Sequence, residues 1–403
     1  MEVLFITAAL PYPPQSGATI RTYNLLRRQA RRHRLHLIAY GDPRRDADRV
    51  THLEQMCASV TVVEWRETKG TPRYYGELLL NLFSATPFVV SRFTRPAMAA
   101  AIRAALARGK IDLVCCDFVT LTLNLPRGGR WPVHLTAHNA ESVLWARYLE
   151  HERNPLTRAY IWLQYRKVLG FERHGLADFP FVTCVSDVDR DRLRALCPIP
   201  EYSVVPNGVD VDYFQPRPGA AVAHRLVFTG AMDWRPNHDA VRFFLEAILP
   251  RVKREEPRVT AVLVGREPPP WLRDLVGSRP DVTLTGTVDD MRPHLAGAAV
   301  YVVPLRVGGG TRLKILEAMA MGLPMVSTSV GCEGLELAAD RDLLIADTPE
   351  AFAAATLRLL RDRELATRLG RAGRQRVEST YGWESVADSL EEAWQNAASA
   401  VSV

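Results

Sequence analysis

A chain of 403 residues is too long for one hydrophobic core, and we expect two domains of about 200 residues each. With 47% hydrophobic and 24% charged residues, the composition is that of a globular protein. No apolar run reaches the roughly 18 residues that would span a bilayer. The net charge of +6 suits anionic ligands or an anionic membrane surface, and it is too small to decide between them.

The cysteines and the first residues bear on the compartment. Six cysteines lie mostly in apolar runs without Cys-x-x-Cys spacing, so we interpret them as buried, reduced thiols rather than metal or redox sites. The chain begins Met-Glu-Val-Leu-Phe-Ile-Thr and reaches Pro11 without a basic region or a long apolar run, so we expect no signal peptide. We therefore expect a cytoplasmic protein, and peripheral contact at the inner face of the cell membrane stays open.

Apolar strands alternate with helices in the first half of the chain. A buried strand is predicted at residues 2–9, followed by a Pro- and Gly-containing turn at 11–17 and a helix near 19–32. Further strands are predicted at 35–40, 60–64, 111–116 and 134–136, with helices such as 97–107 between them. Alternation of this kind indicates a parallel, doubly wound sheet with both faces covered.

Many prolines and glycines interrupt this rhythm at residues 199–224, which we interpret as an interdomain linker between domains at 1–198 and 225–383. The segment 384–403 is expected to form a C-terminal helix that returns to the first domain. In the second domain, strands are predicted at 225–229, 260–264, 282–285, 300–304, 324–328 and 343–345, and helices at 240–253, 291–297 and 311–321. We expect an α/β protein of two Rossmann-like, doubly wound domains facing across a cleft, with ligands beyond the carboxyl ends of the strands.

The most informative stretch is a glycine turn that opens a short helix near residue 311. Glycine lets backbone N–H groups approach a ligand, and a helix start attracts anions, so the stretch could hold a diphosphate. The alternative is an ordinary turn in which Lys314 and Glu317 form a surface ion pair. The Gly-Lys-Ser/Thr ending of a Walker loop is missing. Residues that could act here are Gly309, Gly310, Thr311, Arg312, Lys314 and Glu317.

Three other sites follow predicted strands. Gly17 lies in a proline-rich turn. The backbone amides of this turn could face a phosphate, in which case Arg21 could add a positive charge, or the segment is simply a turn. His138 follows a strand and lies in a polar cluster. This cluster either contacts the ligand or only caps the next helix, through Asn139 or Ser142. Gly230 ends the first strand of the second domain, and Asn237 is either a helix cap or a ligand contact.

The sequence indicates no metal site. Neither Asp187-Val188-Asp189 nor Asp210-Val211-Asp212 stands in a loop where it would hold Mg²⁺ against a diphosphate. A departing diphosphate would then need protein donors. Two cations, Arg312 and Lys314, and the donors of a helix N-terminus could stabilise the charge of the diphosphate without a metal ion.

Three motifs carry a family resemblance. Val-Pro-Asn-Gly-Val-Asp at 205–210, Phe-Thr-Gly at 228–230 and Leu-Glu-Ala-Met-Ala-Met-Gly-Leu-Pro-Met-Val at 316–326 resemble the family-four retaining glycosyltransferases of the GT-B fold (glycosyl transferases group 1). The resemblance covers nearly the whole chain and is strongest over 204–336. It implies transfer of a sugar from a UDP- or GDP-linked donor to an acceptor hydroxyl with retention of configuration. It implies no metal and no other cofactor.

The resemblance also implies roles by position. Glu317 matches the second glutamate of the family's pair and should hold the nucleotide ribose. Gly17 matches the glycine loop near the diphosphate, and His138 the first-domain histidine near the donor sugar. Gly286 and Val288 match the loop whose backbone meets the base.

The departures from the family pattern concern the same site. The first glutamate of the pair should fall at Gly309, so the sugar must be recognised by backbone amides of residues 309–311 or by another residue. The arginine and lysine that commonly follow the first strand of the second domain fall near Ala231 and Asn237. We infer that Arg312 and Lys314 take over their contact with the diphosphate, and with His138 they are the predicted catalytic residues.

The acceptor cannot be identified from the sequence, and a carbohydrate, a lipid-linked sugar or a small molecule all fit. Residues 72–95 combine aromatics, leucines and arginines, which fits either contact with an anionic membrane or a buried helix and loop. A role in cell-surface polysaccharide, glycolipid or glycoconjugate synthesis is expected. A sugar-nucleotide epimerase and a catalytically silent sugar-nucleotide binder remain alternatives. Dispersed basic residues argue against nucleic acid as a partner.

Overall fold

A computed structural model of the protein describes residues 1–66, 68–126, 128, 131–308 and 312–399. The chain divides into two units. The first unit consists of Met1–Pro206 together with the C-terminal segment from Trp383, and the second of Asn207–Gly382.

The first unit is built on a seven-stranded parallel sheet. Its strands are β1 (Glu2–Thr7), β2 (Arg34–Gly41), β3 (Ser59–Glu64), β4 (Leu113–Cys116), β5 (Val133–Ala137), β6 (Phe181–Cys184) and β7 (Glu201–Val204). The strand order is β3-β2-β1-β4-β5-β6-β7. Val3 and Phe5 pack on one face of the sheet, Leu4 and Ile6 on the other, so both faces are covered and the strands are apolar throughout.

The sequence predicts bounds for two helices of the first unit: 97–107 agrees with α5 to within one residue at each end, whereas 19–32 is shifted relative to α1 by two to three residues. They are α1 (Gly17–Gln29), α2 (Ala47–Glu54), α3 (Pro72–Asn81), α4 (Phe88–Phe93), α5 (Pro96–Arg108), α6 (Glu141–His151), α7 (Pro155–Gly175) and α8 (Asp187–Leu196). Helix α1 begins before residue 19 because Ser16 caps it, with Thr19 completing a capping box.

The second unit contains a six-stranded parallel sheet in the order β10-β9-β8-β11-β12-β13. Its strands are β8 (Arg225–Thr229), β9 (Thr260–Val264), β10 (Val282–Leu284), β11 (Val300–Val303), β12 (Met325–Ser327) and β13 (Leu344–Ile345). Its helices are α9 (Arg235–Phe243), α10 (Leu249–Glu255), α11 (Pro270–Gly277), α12 (Arg292–Ala296), α13 (Leu313–Ala320), α14 (Pro349–Arg361) and α15 (Arg363–Thr380). The single helix predicted at 240–253 is instead α9 and α10 joined by a π-helical turn, Phe244–Ile248.

The segment predicted as a linker, 199–224, is partly structured. Strand β7 lies inside it and pairs in parallel with β6, with Phe181 opposite Glu201. Tyr202 and Val205 are buried in the first unit. The first unit therefore extends to Pro206, eight residues beyond the predicted boundary at residue 198.

The last helix, α16 (Trp383–Ser399), packs on α1 in the first unit. The Gln29 amide donates to the carbonyl of Ala387 at 2.7 Å, and Arg28 pairs with Glu384 at 2.9 Å. Trp394 is fully buried against the sheet, where its ring lies 6.3 Å from that of Phe5. Polar pairs at its edges and an aromatic anchor at its centre hold α16 in place.

The cysteines are all buried and unbridged. Burial raises the pKa of the Cys57 thiol to about 11 and that of Cys116 to about 12, so both stay protonated at neutral pH. Over the part of the chain that the structure describes, none of the helices combines the length and apolarity needed to cross a bilayer.

Candidate functional site

The sheet of the second unit has a topological switch point between β8 and β11. These strands are neighbours, but β8 connects onward to β9 on one side and β11 to β12 on the other. Connections that leave in opposite directions open a crevice at the carboxyl ends of the two strands. Helices α9 and α13 follow these strands, so their first turns flank the crevice.

Lys314, in the first turn of α13, is the central cation of this crevice. Its ammonium donates to Oδ1 of Asn237 in α9 at 2.9 Å and lies 4.3 Å from the centre of the Phe228 ring. The amide of Asn237 donates in turn to the carbonyl of Ala231 at 2.8 Å. Asn237 is thus inside α9 and orients Lys314, so its interpretation as a helix cap is wrong.

The surroundings of Lys314 disfavour the protonated, positively charged form of its side chain. Burial and the neighbouring Arg312 together lower its pKa to about 7, against the opposing effect of Glu317. A lysine whose pKa lies near 7 becomes fully protonated when an anion binds beside it. The crevice is therefore suited to an anionic ligand.

Gly230 makes room for this lysine. A Cβ at residue 230 would lie 2.6 Å from Nζ of Lys314 and 2.7 Å from Nδ2 of Asn237, closer than non-bonded atoms approach. A Cβ on Gly265, which follows β9, would overlap the carbonyl oxygen of Gly230. Two glycines at the ends of neighbouring strands thus allow the loops to close around the ammonium.

Glu317 lies one turn beyond Lys314 on α13 and is 8% exposed. Burial raises the pKa of its carboxyl group to about 7, even though the neighbouring Lys314 acts in the opposite direction. Burial raises the pKa of the nearby Tyr301 phenol, whose oxygen lies 2.6 Å from Oγ1 of Thr229, and the negative charge of Glu317 adds to that increase. The carboxyl group is positioned to accept hydroxyl donors from a ligand.

Arg312 occupies the N-cap position of α13, without a capping hydrogen bond from its side chain, and is 5% exposed. Its guanidinium folds back over Gly308, where a Cβ would lie 2.6 Å from an Arg312 nitrogen. Gly308 has φ of +145°, in the region that favours glycine. The predicted residues Gly309, Gly310 and Thr311 lie outside the described residues, so Arg312, Lys314 and Glu317 are the part of the motif that the structure brings together.

The predicted base-binding residues follow β10, the edge strand. Gly286 has φ of +70°, and Oγ1 of Thr285 donates to its carbonyl at 3.0 Å. Val288 is partly buried against the core of the second unit. Because β10 is two strands from β8, about 10 Å at ordinary spacing, these residues lie at the same edge of the sheet but apart from Lys314.

The first unit has its own switch point, between β1 and β4. Asp117 follows β4 and accepts from Oγ1 of Thr22 at 2.5 Å. Nε2 of His138 donates to the backbone carbonyl of Asp117 at 2.7 Å and to its carboxylate at 3.1 Å. The imidazole stacks on Phe118, with ring centres 4.2 Å apart. His138 is therefore held in one orientation.

Gly17 and Arg21 are in the same unit. Gly17 is the first residue of α1 and is exposed, so it stands at a helix N-terminus, where anions are favoured. Arg21 faces away from solvent and donates to the carbonyls of Val205 and Pro206. Burial lowers its pKa to about 10. The expectation that Arg21 adds charge beside Gly17 is wrong, because its side chain lies on the buried face of α1.

The polar cluster after β5 is organised by two carboxylates that sequence reasoning missed. Asp189 accepts from the backbone N–H of Ala140 at 3.1 Å, and both carboxylate oxygens of Glu172 accept from that of Ser142 at 3.3 Å. Burial raises the pKa of Glu172 to about 7. The N-terminus of α6 is therefore capped from α7 and α8 and not by Asn139 or Ser142.

No group of three His, Cys, Asp or Glu side chains that could hold a metal ion occurs within residues 1–66, 68–126, 128, 131–308 and 312–399.

Comparison with known families matches two regions of the chain. Residues 15–213 match the family described as Glycosyltransferase Family 4, and residues 223–362 match Glycosyl transferases group 1. A GDP-mannose-dependent alpha-(1-6)-phosphatidylinositol monomannoside mannosyltransferase of Mycobacterium tuberculosis is 30% identical over 234 residues, 52% of this chain and 60% of the relative. A glycogen synthase of the same species is 29% identical over 51% of each chain. The chain thus matches half to three fifths of the length of these relatives.

Solved structures show the same fold. Sucrose-phosphate synthase from Thermosynechococcus elongatus aligns with a TM-score of 0.76 at 18% identity, covering 99% of this chain and 100% of the other. Anabaena HepE in complex with UDP and glucose aligns with a TM-score of 0.67 at 15% identity, covering 98% and 100%. The chain belongs to the glycosyltransferases of the GT-B fold, with a family-four region followed by a glycosyl transferases group 1 region.

Proposed function

We propose that the protein is a retaining, metal-independent glycosyltransferase that moves a sugar from a UDP- or GDP-linked donor to an acceptor hydroxyl. The observation that carries this proposal is the ammonium of Lys314, held by Asn237 at the switch point of the second unit, one helical turn from the buried Glu317. A cation and a carboxyl group at one helix start suit the two polar parts of a nucleotide-sugar, its diphosphate and its ribose.

The diphosphate binds at the N-terminus of α13. Lys314 and Arg312 supply positive charge, and the unpaired N–H groups of the helix start supply donors. The bound diphosphate raises the pKa of Lys314 above its value of about 7. The same donors stabilise the additional negative charge on the diphosphate as it leaves, which is the role a metal ion has in other transferases.

The rest of the donor is bound by the other predicted residues. The carboxylate of Glu317 accepts the ribose hydroxyls, whose donation favours its ionised form. The base meets the backbone near Gly286 and Val288, and the sugar meets residues 309–311. Gly17 contributes backbone at the start of α1.

The transfer proceeds on one face of the sugar. The bond between the anomeric carbon and the diphosphate oxygen breaks, and the acceptor oxygen forms its bond on the same side through an oxocarbenium-like state. The acceptor proton passes to the leaving diphosphate oxygen, so no protein base and no co-reactant are needed. His138, fixed by Asp117 and Phe118, orients the sugar.

The name of one relative supports a proposal for the acceptor class. The mycobacterial relative is named for a phosphatidylinositol monomannoside acceptor. We propose a carbohydrate or lipid-linked acceptor for this protein as well, with a role in glycolipid or cell-surface polysaccharide synthesis on the cytoplasmic side of the membrane.

The test begins with a panel of UDP- and GDP-sugars screened for thermal stabilisation, since a ligand at 100 times its Kd adds about 2.7 kcal/mol. Nucleotide release from the stabilising donor is then followed with and without candidate acceptors in EDTA, and the anomeric configuration of the product is read by proton NMR. We expect acceptor-dependent release and retained configuration. Nucleotide release, or inversion of a carbon of the donor sugar, in the absence of acceptor would indicate an epimerase. Donor binding without turnover on any acceptor would indicate a catalytically silent binder.

A further inference from the structure

Helix α3 and the residues directly after it turn an apolar face to solvent. Tyr75, Leu79 and Phe83 follow one another at intervals of four residues, and their exposed fractions are 58%, 64% and 92%. Leu80, beside them, is 75% exposed. Apolar residues at this spacing ordinarily face a protein core. The interpretation of residues 72–95 as a buried helix and loop therefore holds for Phe88 and the end of the segment, but not for this face.

The face is held in place from behind. Asn81, at the end of α3, is 5% exposed and donates to the carbonyl of Thr86 at 3.0 Å. Gln164 of α7 donates to the side-chain oxygen of Asn81 at 3.0 Å, and Lys167 donates to its backbone carbonyl at 2.5 Å. Because two polar contacts fix the end of α3 to the long helix α7, the apolar face is displayed on a rigid support.

The charge around the face is mainly positive. Residues 66–95 contain five Lys and Arg and two Asp and Glu. Lys69 and Arg73 are exposed at the N-terminal end of α3, and Lys167 lies at its C-terminal end. The single acidic residue of α3, Glu77, pairs with Arg73 at 3.2 Å and with Arg95 at 3.5 Å.

An apolar helix face with a basic border matches the surface of an anionic bilayer, where the apolar side chains enter the acyl boundary and the cations meet the headgroups. A second copy of the chain would bring one basic border against another, which is unfavourable. We propose that the face formed by Tyr75, Leu79, Leu80 and Phe83 docks the first unit on an anionic phospholipid bilayer. The inference goes beyond sugar transfer, since docking requires no nucleotide-sugar.

Vesicle co-sedimentation of the whole protein tests this directly. The probes are vesicles of phosphatidylcholine alone and vesicles with about 30 mol% phosphatidylglycerol. We expect binding to the anionic vesicles that weakens at high salt and is weaker on phosphatidylcholine alone. The double variant Leu80→Glu/Phe83→Glu should lose on the order of tenfold or more in affinity, because each apolar side chain contributes roughly that factor on burial.

Two further variants separate the contributions. Ile199→Glu replaces another aliphatic side chain of the first unit that is 70% exposed, and it should bind vesicles like wild type. Lys69→Gln/Arg73→Gln should weaken binding to anionic vesicles roughly tenfold, since each cation near the surface contributes a factor of about five at most. All these side chains already face water, so thermal unfolding should be unchanged.

Failure to bind anionic vesicles at low salt, or equal binding by wild type and Leu80→Glu/Phe83→Glu, would overturn the proposal. A dimer in sedimentation velocity that the double variant abolishes would assign the face to a second copy instead. Thermal stabilisation by the donor is measured on the same samples and depends on the second unit. Loss of vesicle binding with intact donor binding therefore refutes only the membrane proposal.

Discussion

Replacing Gly230 with Ala should weaken donor binding while the second unit stays folded. The added Cβ would lie 2.6 Å from Nζ of Lys314 and 2.7 Å from Nδ2 of Asn237. Ordinary contacts are about 3.5 Å, so the ammonium must withdraw by roughly 1 Å and lose its 2.9 Å bond to Asn237. The displaced ammonium then also loses its bond to the diphosphate; a hydrogen bond to a charged group contributes about 1.5–3 kcal/mol, which predicts a loss of roughly ten- to 150-fold in donor affinity.

The assay is isothermal titration calorimetry with the nucleotide-sugar that stabilises the wild type, beside thermal unfolding. Gly277→Ala is the matched control, because nothing lies within 4 Å of its Cβ, and both affinity and stability should be unchanged. Gly265→Ala should instead unfold the unit, because its Cβ would overlap a backbone carbonyl. Donor affinity in Gly230→Ala within about twofold of wild type would refute the assignment of Lys314 to the diphosphate.

Three further predictions address charge and orientation. Donor affinity measured by calorimetry should peak near pH 7, because Glu317 is protonated below about 7 and Lys314 loses its proton above it; Lys314→Arg should remove only the fall at higher pH, and a flat wild-type profile contradicts the prediction. His138→Ala should lower kcat more than tenfold with donor Kd unchanged, whereas full turnover removes His138 from the site. The pKa of Glu172 is raised from 4.5 to about 7 in the folded protein, so as pH rises this carboxyl group ionises in the unfolded chain before it ionises in the folded one. The free energy of unfolding should therefore fall by about 3 kcal/mol as pH rises between those two values. Denaturant titrations should show that Glu172→Gln removes this fall, and the same fall in the variant would exclude Glu172 as its source.

The central strands could be predicted because buried parallel strands are continuous apolar runs, as in β1 and β11. Strand β7 could not, because it is an edge strand whose exposed Glu201 and Ser203 alternate with the buried Tyr202 inside a proline-rich stretch. The two long helices α14 and α15 were also missed. The π-helical turn between α9 and α10 has no signal in the pattern of residues.

The candidate site could be predicted in part. The glycine motif identified Lys314 and Glu317, because they are close in sequence. Asn237 and Asp117, which orient Lys314 and His138, could not be assigned these roles, because each acts across a long separation in the chain. Asp117 did leave one usable signal: it is a carboxylate placed directly after the apolar strand β4.

A crystal structure of the protein with the nucleotide-sugar that binds most tightly would test the proposed donor site most directly. We expect diphosphate oxygens within about 3.2 Å of Nζ of Lys314 at the start of α13, and ribose hydroxyls donating to Glu317. A nucleotide bound elsewhere, with Lys314 contacting only Asn237, would contradict it.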